Sequence, residues 1–253
     1  MNIFISILDF FGFDIKKIYY LKNIPRYLKS LYIFLEMGGK INGYSPYLID
    51  FKLSARSHGG HYFHQDLIVA SAIFSNNPLR HVDVGSRIDG FVAHVAAFRK
   101  IEIFDIRHLP PLPYHNISYV QADLMDEISF HENSTDSLSC LHAIEHFGLG
   151  RYGDPINPLG HKTAFNNLIK MLKPNGLLYI SFPIGSANKV IFNAHRIFHP
   201  TEIMDWTNSA SLELINFDMV DDDGYLQQSL DIYDLKKDLN YCCGIYTFRK
   251  KLL

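Results

Sequence analysis

From about residue 65 onward, apolar and polar positions along the chain alternate between two periods. Short apolar runs with side chains facing alternate sides predict strands, and longer runs with apolar positions three or four apart predict helices. "DLIVASAIFSN" predicts a helix ending near Asn76, Asn77 and Pro78, and "RHVDVG" a first strand. "FVAHVAAF" follows as a crossover helix, and "KIEIFDI" as a second strand ending at Asp105. "LPPLP", residues 109–113, can only be loop, because proline fixes φ and donates no backbone hydrogen bond. "ISYVQAD" is a third strand closed by Asp123, and "STDSLSCLHAIEHF" holds a fourth. "HKTAFNNLIKMLKPNG" predicts a helix stopped by Pro174 and Gly176, and "GLLYISFPIG" a fifth strand. "LELINFDMVDD" and "CCGIYTFRK" supply two further strands joined by an acidic loop, expected to form an antiparallel edge hairpin. Strands alternating with helices point to an α/β fold, a mostly parallel central sheet with helices on both faces.

The first 35 residues follow neither period so clearly. "MNIFISILDFFGFDI" is apolar but interrupted by Asp9 and Asp14, without a basic leader or a small-residue cleavage site, so it predicts neither a secretory signal nor a bilayer span. Lys16, Lys17, Lys22, Arg26 and Lys29 follow in its second half. The reading adopted is an N-terminal helical extension, residues 1–57, ahead of a main domain at residues 58–253. A second reading is an interfacial amphipathic helix making peripheral membrane contact.

Composition narrows the classes. A chain of 253 residues, 47% of them hydrophobic, can bury a full core. With 24 basic and 26 acidic residues, the net charge of -2 offers no broad nucleic-acid footprint, so no nucleic-acid partner is expected. Cys140, Cys242 and Cys243 give neither a disulfide framework nor a Cys-x-x-Cys pair, and a reducing cytoplasmic location is expected.

In open parallel sheets, ligands bind beyond the carboxyl ends of the strands. Asp83 and Gly85 end the first predicted strand, Asp105 follows 22 residues after Asp83, and Asp123 ends the third. An acidic residue at the place of Asp105 accepts hydrogen bonds from the ribose hydroxyls of an adenosine cofactor. Two nearby carboxylates suit a cofactor without a pyrophosphate. S-adenosylmethionine, a sulfonium cation, is such a cofactor and needs no glycine-rich anion nest. Arg87 and Asp89 stand where a dinucleotide turn carries glycines, which counts against a nicotinamide-dependent oxidoreductase.

This order resembles the class I S-adenosylmethionine-dependent methyltransferases. Their glycine motif, acidic-apolar-Gly-x-Gly-x-Gly, reads here Asp83, Val84, Gly85, Ser86, Arg87, Ile88, Asp89, with Gly90 one place late. A closer resemblance covers roughly residues 58–200. It is to a methyltransferase-like domain family of unknown function met among bacterial surface-polysaccharide genes. "HYFHQDLIVA", "HVDVGSRIDGFVAH", "FDIR", "QADL", "AIEHFGLGRYGDPINPLG", "FPIG" and "FNAHRIF" carry it. The resemblance implies a Rossmann-like class I methyltransferase fold with S-adenosyl-L-methionine as methyl donor. It implies donor contacts at Asp83, Gly85, Ser86, Arg87, Asp105, Ile106, Asp123 and Leu124, and a lid using Tyr62, His64 and Gln65.

"LHAIEHFGLGRYGD" follows the fourth strand, the strand end that faces donor and acceptor in these enzymes. A neutral imidazole accepts a hydroxyl proton near pH 7, so His146 is the candidate general base, with Glu145 orienting it or holding substrate. The spacing of His142, Glu145 and His146 also resembles the metal-contacting Glu-x-x-Glu-His stretch of ubiquinone-biosynthesis O-methyltransferases, with His142 in place of the first Glu. His142 itself reads as a hydrogen-bonded structural residue. His58, His61 and His64 read as caps or pocket walls, and no metal is assigned. Arg151, Tyr152, His195 and Arg196 are candidate substrate contacts, the two arginines gripping a phosphate or carboxylate, or else closing internal ion pairs with Asp154 or Glu202. The expected activity is O-methylation of a sugar, nucleotide sugar or surface-glycan precursor. The alternative is a catalytically silent methyltransferase-like module in a glycan-biosynthesis complex.

Overall fold

The computed structural model describes residues 19–49, 59–126, 130–206, 208–235 and 238–252. The chain divides into two compact units, residues 1–57 and 58–253. In the first unit, a 3-10 turn at Tyr20–Asn23 leads into helix α1, Ile24–Glu36, which has Pro25 in its first turn. Proline suits that position because its missing N–H would lack a helical partner anyway. Asn23 Nδ2 donates to the Leu48 carbonyl at 2.6 Å and ties the segment after α1 back to its start. No residue of α1 is buried. The apolar opening, residues 1–18, and His58 lie outside the described residues. Among the described residues, no helix is long and apolar enough to cross a membrane.

The second unit begins with α2, His61–Asn76, and β1, His81–Val84. α3, Ala93–Ala96, and β2, Ile101–Asp105, follow, then β3, Ile117–Gln121, and β4, Thr135–Leu141. α4, Gly160–Met171, runs directly into β5, Leu172–Ile184. A small ribbon of β6, Lys189–Ile191, and β7, His195–Ile197, precedes β8, Leu212–Val220, β9, Leu226–Gln227, and β10, Cys242–Lys250. Among the described residues one sheet runs in the order β3-β2-β1-β4-β5-β10-β8-β9. β3 to β5 are parallel, and β10 is antiparallel to both β5 and β8. The antiparallel strands close one side of the sheet as expected, with β10 inserted between β5 and β8 so that β9 takes the edge.

Two apolar cores flank the sheet. On one face, Val69 and Ile73 of α2 pack with Phe91, Val95, Ile101 and Ile245. On the other, Phe165 and Leu168 of α4 pack with Phe182, Phe198 and Trp206. Burying each such side chain contributes about 1.5–3 kcal/mol.

β1 is buried along its whole length because β2 and β4 cover both its edges. Its two polar side chains are satisfied internally, His81 by the hydroxyls of Ser137 and Ser139, and Asp83 by Ser86 and Ser139.

Two elements depart from the sequence pattern. The crossover after β1 starts as a π turn at Ile88–Val92 that contains Gly90 at φ -118 and ψ -110, so only Ala93–Ala96 forms regular helix. A Cβ at Gly90 would stand 2.9 Å from Asp66 Oδ2. The helix expected to stop at Pro174 ends at Met171. Thr135 of β4 pairs with Leu172 and Ser137 with Leu177, so residues 173–176 form a bulge within β5. Asn175 turns it at φ +63. Lys250 of β10 donates to the carbonyls of Ile169 and Leu172 and closes the end of α4, which needs no proline or glycine stop.

Candidate active site

The carboxyl ends of the parallel strands open onto two connected clefts. The first runs past Val84, Gly85, Asp105, Ile106, Asp123 and Leu124 to His146 and Tyr152. The second, of about 530 Å³, runs from Tyr62, Gln65 and Asp66 on α2 past Ser86 and Arg87 to Glu145, Arg151, His195 and Tyr241. Gly85, Arg107, His142, His146 and Tyr152 belong to both.

Gly85 makes the turn out of β1 at φ +73, and a Cβ there would stand 2.9 Å from the Cβ of Ala143. Only glycine brings the backbone this close to the fourth strand end without strain. Arg87 and Asp89 pair with each other at 2.8 Å, both largely exposed, with Arg87 on the lining of the second cleft.

Asp83 is fully buried behind the turn and does not line the clefts. It accepts from the Ser86 amide at 3.1 Å, the Ser86 hydroxyl at 2.8 Å and the Ser139 hydroxyl at 2.5 Å. Burial pushes its carboxyl up to about 6, against the three hydrogen bonds that favour the ion. The structure thus makes it a positioning residue for the turn, not a ligand contact.

Asp105 at the end of β2 is held by Arg107, whose guanidinium spans both carboxylate oxygens at 2.9 and 2.5 Å. Oδ1 also accepts from the Arg107 amide at 2.8 Å, so a further lone pair remains on Oδ2. Arg107 also lies over the Tyr152 ring at 4.7 Å. Asp123 fixes the turn after β3 by accepting from the Met125 amide at 2.8 Å.

The loop after β4 is built around Asp154, whose carboxylate accepts from the amides of Gly148, Gly150 and Tyr152. That nest presents Arg151 and Tyr152 to the second cleft. Arg196 holds the same loop from behind. It is 3% exposed and donates to the carbonyls of Glu145, Phe147 and Pro158. The expected substrate grip by Arg196 is therefore corrected: its donors are spent on backbone. Glu202, the other expected ion-pair partner, lies 3.7 Å from Lys162. Arg151 stays at the surface, donating to Ala194 O at 2.8 Å, while His195 packs against Tyr241 in the cleft.

His146 stands where the clefts meet. Its Nδ1 lies 2.7 Å from the Ala194 carbonyl, and only a protonated Nδ1 can donate there, which leaves Nε2 with a lone pair. Burial lowers its pKa, so the ring is neutral near pH 7. Glu145, 1% exposed, lies nearer to His142, with Oε1 at 2.9 Å from His142 Nδ1 and 3.7 Å from His146 Nε2. Glu145 thus orients His142 first and His146 only second. His142 adopts φ +48, a conformation uncommon outside glycine, and its ring stacks on His61 at 5.1 Å. Burial disfavours a charge on His142, but the Cys243 sulfur and the Glu145 carboxylate push its pKa well above the ordinary histidine value.

On α2 the residues facing the cleft are Tyr62, Gln65 and Asp66. His64 does not line it, which corrects that part of the expected lid. Gln65 accepts from the Ser181 hydroxyl at 2.6 Å and donates to Asp66 Oδ1 at 3.2 Å, so it is bound into the wall. Asp66, Arg107 and Tyr241 were missed as contacts. "FDIR" and "SHGGHYFHQD" contain two of them, but nothing local marks Tyr241, which reaches the cleft through the sheet order.

The family described as "Caenorhabditis protein of unknown function, DUF268" matches residues 114–210. No curated protein matches the chain. Solved structures of similar fold include 1,6-didemethyltoxoflavin-N1-methyltransferase of Burkholderia thailandensis, crystallised with S-adenosylhomocysteine. It is 15% identical, with a TM-score of 0.52 over 74% of this chain and 79% of that one. The N-methyltransferase NodS from Bradyrhizobium japonicum, also with S-adenosylhomocysteine, is 14% identical, with a TM-score of 0.51 over 76% and 88%. The [4+2]-cyclase SpnF is 13% identical, with a TM-score of 0.54 over 92% and 96%. Identities this low establish the fold alone: the chain has the Rossmann-like class I methyltransferase architecture. A cyclase among its likenesses shows that the architecture is not restricted to one reaction.

Proposed function

We propose that this chain is an S-adenosylmethionine-dependent methyltransferase acting on a hydroxyl of a sugar, nucleotide sugar or surface-glycan precursor. The observation that carries the reading is the meeting of the two clefts at His146, whose Nδ1 is committed to the Ala194 carbonyl while Nε2 is left as an acceptor.

The first cleft presents groups suited to the donor, and at about 50 Å³ it has to widen to admit it. Gly85 lets the backbone approach closely, Asp105 retains an acceptor position on Oδ2 for a ribose hydroxyl, and Asp123 and Leu124 frame the far end. When bound, the donor supplies an electrophilic methyl group. The second cleft supplies the acceptor side, with Tyr62, Tyr152 and Tyr241 as stacking faces and Arg87 and Arg151 as cationic contacts suited to a phosphorylated or carboxylated sugar. His146 Nε2 takes the hydroxyl proton as the oxygen forms its new bond, and most of the acceleration comes from holding the two reactants in line. Support for a surface-glycan acceptor comes from the sequence resemblance together with this aromatic and cationic lining.

A second reading, a catalytically silent module, has the Asp105–Arg107 pair in its favour, since Arg107 already occupies part of the carboxylate. Calorimetric titration with S-adenosylmethionine and S-adenosylhomocysteine, with NAD as control, separates the two. Micromolar binding of the sulfur ligands, lost in Asp105→Ala, is expected. His146→Ala is expected to keep that binding and to lower transfer of labelled methyl to a panel of nucleotide sugars by about 10²–10⁴-fold. A folded protein that binds neither sulfur ligand overturns the enzymatic reading.

A further inference from the structure

Three side chains far apart in sequence meet beside the second cleft: His61 at the start of α2, His142 after β4 and Cys243 at the start of β10. Their ligand atoms all lie within 4.8 Å of one another. We propose that His61, His142 and Cys243 form a binding site for a zinc-like divalent cation, with Glu145 as the carboxylate that orients His142.

The chemistry of the donors selects the ion. Two imidazoles and one thiolate suit a borderline-soft cation and not magnesium or calcium, which take oxygen ligands. Three protein ligands leave a fourth tetrahedral position open, the pattern of zinc sites that handle a water or substrate oxygen. His142 itself lines the acceptor cleft.

Independent observations point to a cation. His142 Nδ1 is paired with Glu145 Oε1 at 2.9 Å, and its buried Nε2, without a well-formed hydrogen bond, faces the Cys243 sulfur. A ligating histidine whose other nitrogen is held by a carboxylate is the usual outer-shell arrangement of zinc proteins. The Cys243 thiol is fully buried, and its contacts to Gln65 Oε1 and the Gly244 carbonyl are long, both 3.8 Å. Glu145 is 1% exposed, and its Oε2 has no hydrogen-bond partner. A divalent cation held by one thiolate and two neutral imidazoles beside the Glu145 carboxylate makes a group of zero net charge, which is what burial requires.

Ligands around a tetrahedral zinc stand about 3.3–3.6 Å apart, so the cluster has to close by roughly an ångström. The His61 and His142 rings are stacked at 11°. Because an ion takes each lone pair in the ring plane, one ring has to turn. His61, at the first position of its helix and less buried than His142, is the one that has to turn, leaving its stack on Tyr241.

The test uses the full-length chain, stripped with chelator, and cobalt(II) as the spectroscopic probe without any methyl donor. Its outcome therefore does not depend on the methyltransferase reading. One equivalent of cobalt is expected to give intense tetrahedral visible absorption and a thiolate-to-cobalt charge-transfer band, both displaced by zinc. Cys243→Ser is expected to lose the charge-transfer band, and His61→Ala to bind at least tenfold more weakly. Glu145→Gln is expected to weaken binding by about 10–100-fold while keeping the thiolate band. The cobalt spectrum is read on the unsubstituted protein, and His61→Ala, at a partly exposed position, serves if Cys243→Ser does not fold. No thiolate band in the folded parent protein overturns the site and leaves Cys243 and His142 as a thiol–imidazole pair. A band that survives in Cys243→Ser also overturns it, because another cysteine is then the ligand.

Discussion

Arg196 and Arg151 show how burial divides two residues of one type. Arg196 supplies the donors for three carbonyls in a dry place, whereas Arg151 keeps its charge at the surface of the cleft. Truncating Arg196 to Ala strands those carbonyls, and a loss of about 2–4 kcal/mol is expected in denaturant unfolding. Arg151→Ala is expected to change stability by less than about 1 kcal/mol and to raise the acceptor KM instead. The sequence presents both as basic residues near a strand end, so their difference was not legible there. What separates them is the path of residues 145–158, which wraps the Arg196 guanidinium. Asp105 is the opposite case: its place at a strand end follows from local pattern, and β2 ends on it. Its Arg107 partner, two residues on, lay in plain view in "FDIR" without a rule that assigned it.

At the scale of elements, the bulge in β5 decides where α4 stops. The pattern legible in "MLKPNG" is a helix terminator, and Pro174 and Gly176 are real breakers of helix. The chain leaves the helix earlier because Leu172 is drawn into the sheet opposite Thr135 and Lys250 closes the last carbonyls of α4. Asn175 carries the positive φ of the bulge. Asn175→Gly is expected to be neutral or stabilising by up to about 1 kcal/mol, and Asn175→Val to cost about 1–2 kcal/mol, read as shifts in thermal midpoint. The crossover after β1 also departs from its local helix pattern, opening as a π turn around the non-helical Gly90 before regular helix begins at Ala93.

Across the whole molecule, buried ionisable groups set the pH dependence of stability. Burial pushes His81 down to about 3 and His161 down to about 3, from an ordinary 6.5. Unfolded histidines take up protons below pH 6.5 while the folded ones stay neutral, so this stability is present above that pH and is lost as pH falls toward 3. At pH 5 the loss is about 2 kcal/mol for each histidine. Asp83, raised to about 6, works the other way: the folded carboxyl holds its proton longer than the unfolded one, which favours the fold as pH falls from 6 toward 4. Two histidines outweigh one aspartate, so the urea midpoint is expected to fall between pH 7 and pH 5. His161 lies against Phe198 and Trp206, and its buried Nδ1 has no partner. His161→Phe is therefore expected to remove about 2 kcal/mol of that slope and to leave the pH 7 stability equal or higher. An unchanged slope in the variant would assign the acid sensitivity to other groups.

The alternation of short apolar strands with longer helical runs was enough to place a parallel sheet, because side-chain periodicity is written by neighbours a few residues apart. The same local grammar set Gly85, Asp105 and Asp123 at or just beyond strand ends, where an open sheet gathers its ligands. The meeting of His61 with His142 and Cys243, which stand 81 and 182 residues further along the chain, was decided by tertiary structure. So were the commitment of Arg196 to backbone and of His146 Nδ1 to the Ala194 carbonyl. These partners come from separate elements, and only the strand order and the packing of α2 and the β4–α4 loop over the sheet bring them within bonding distance.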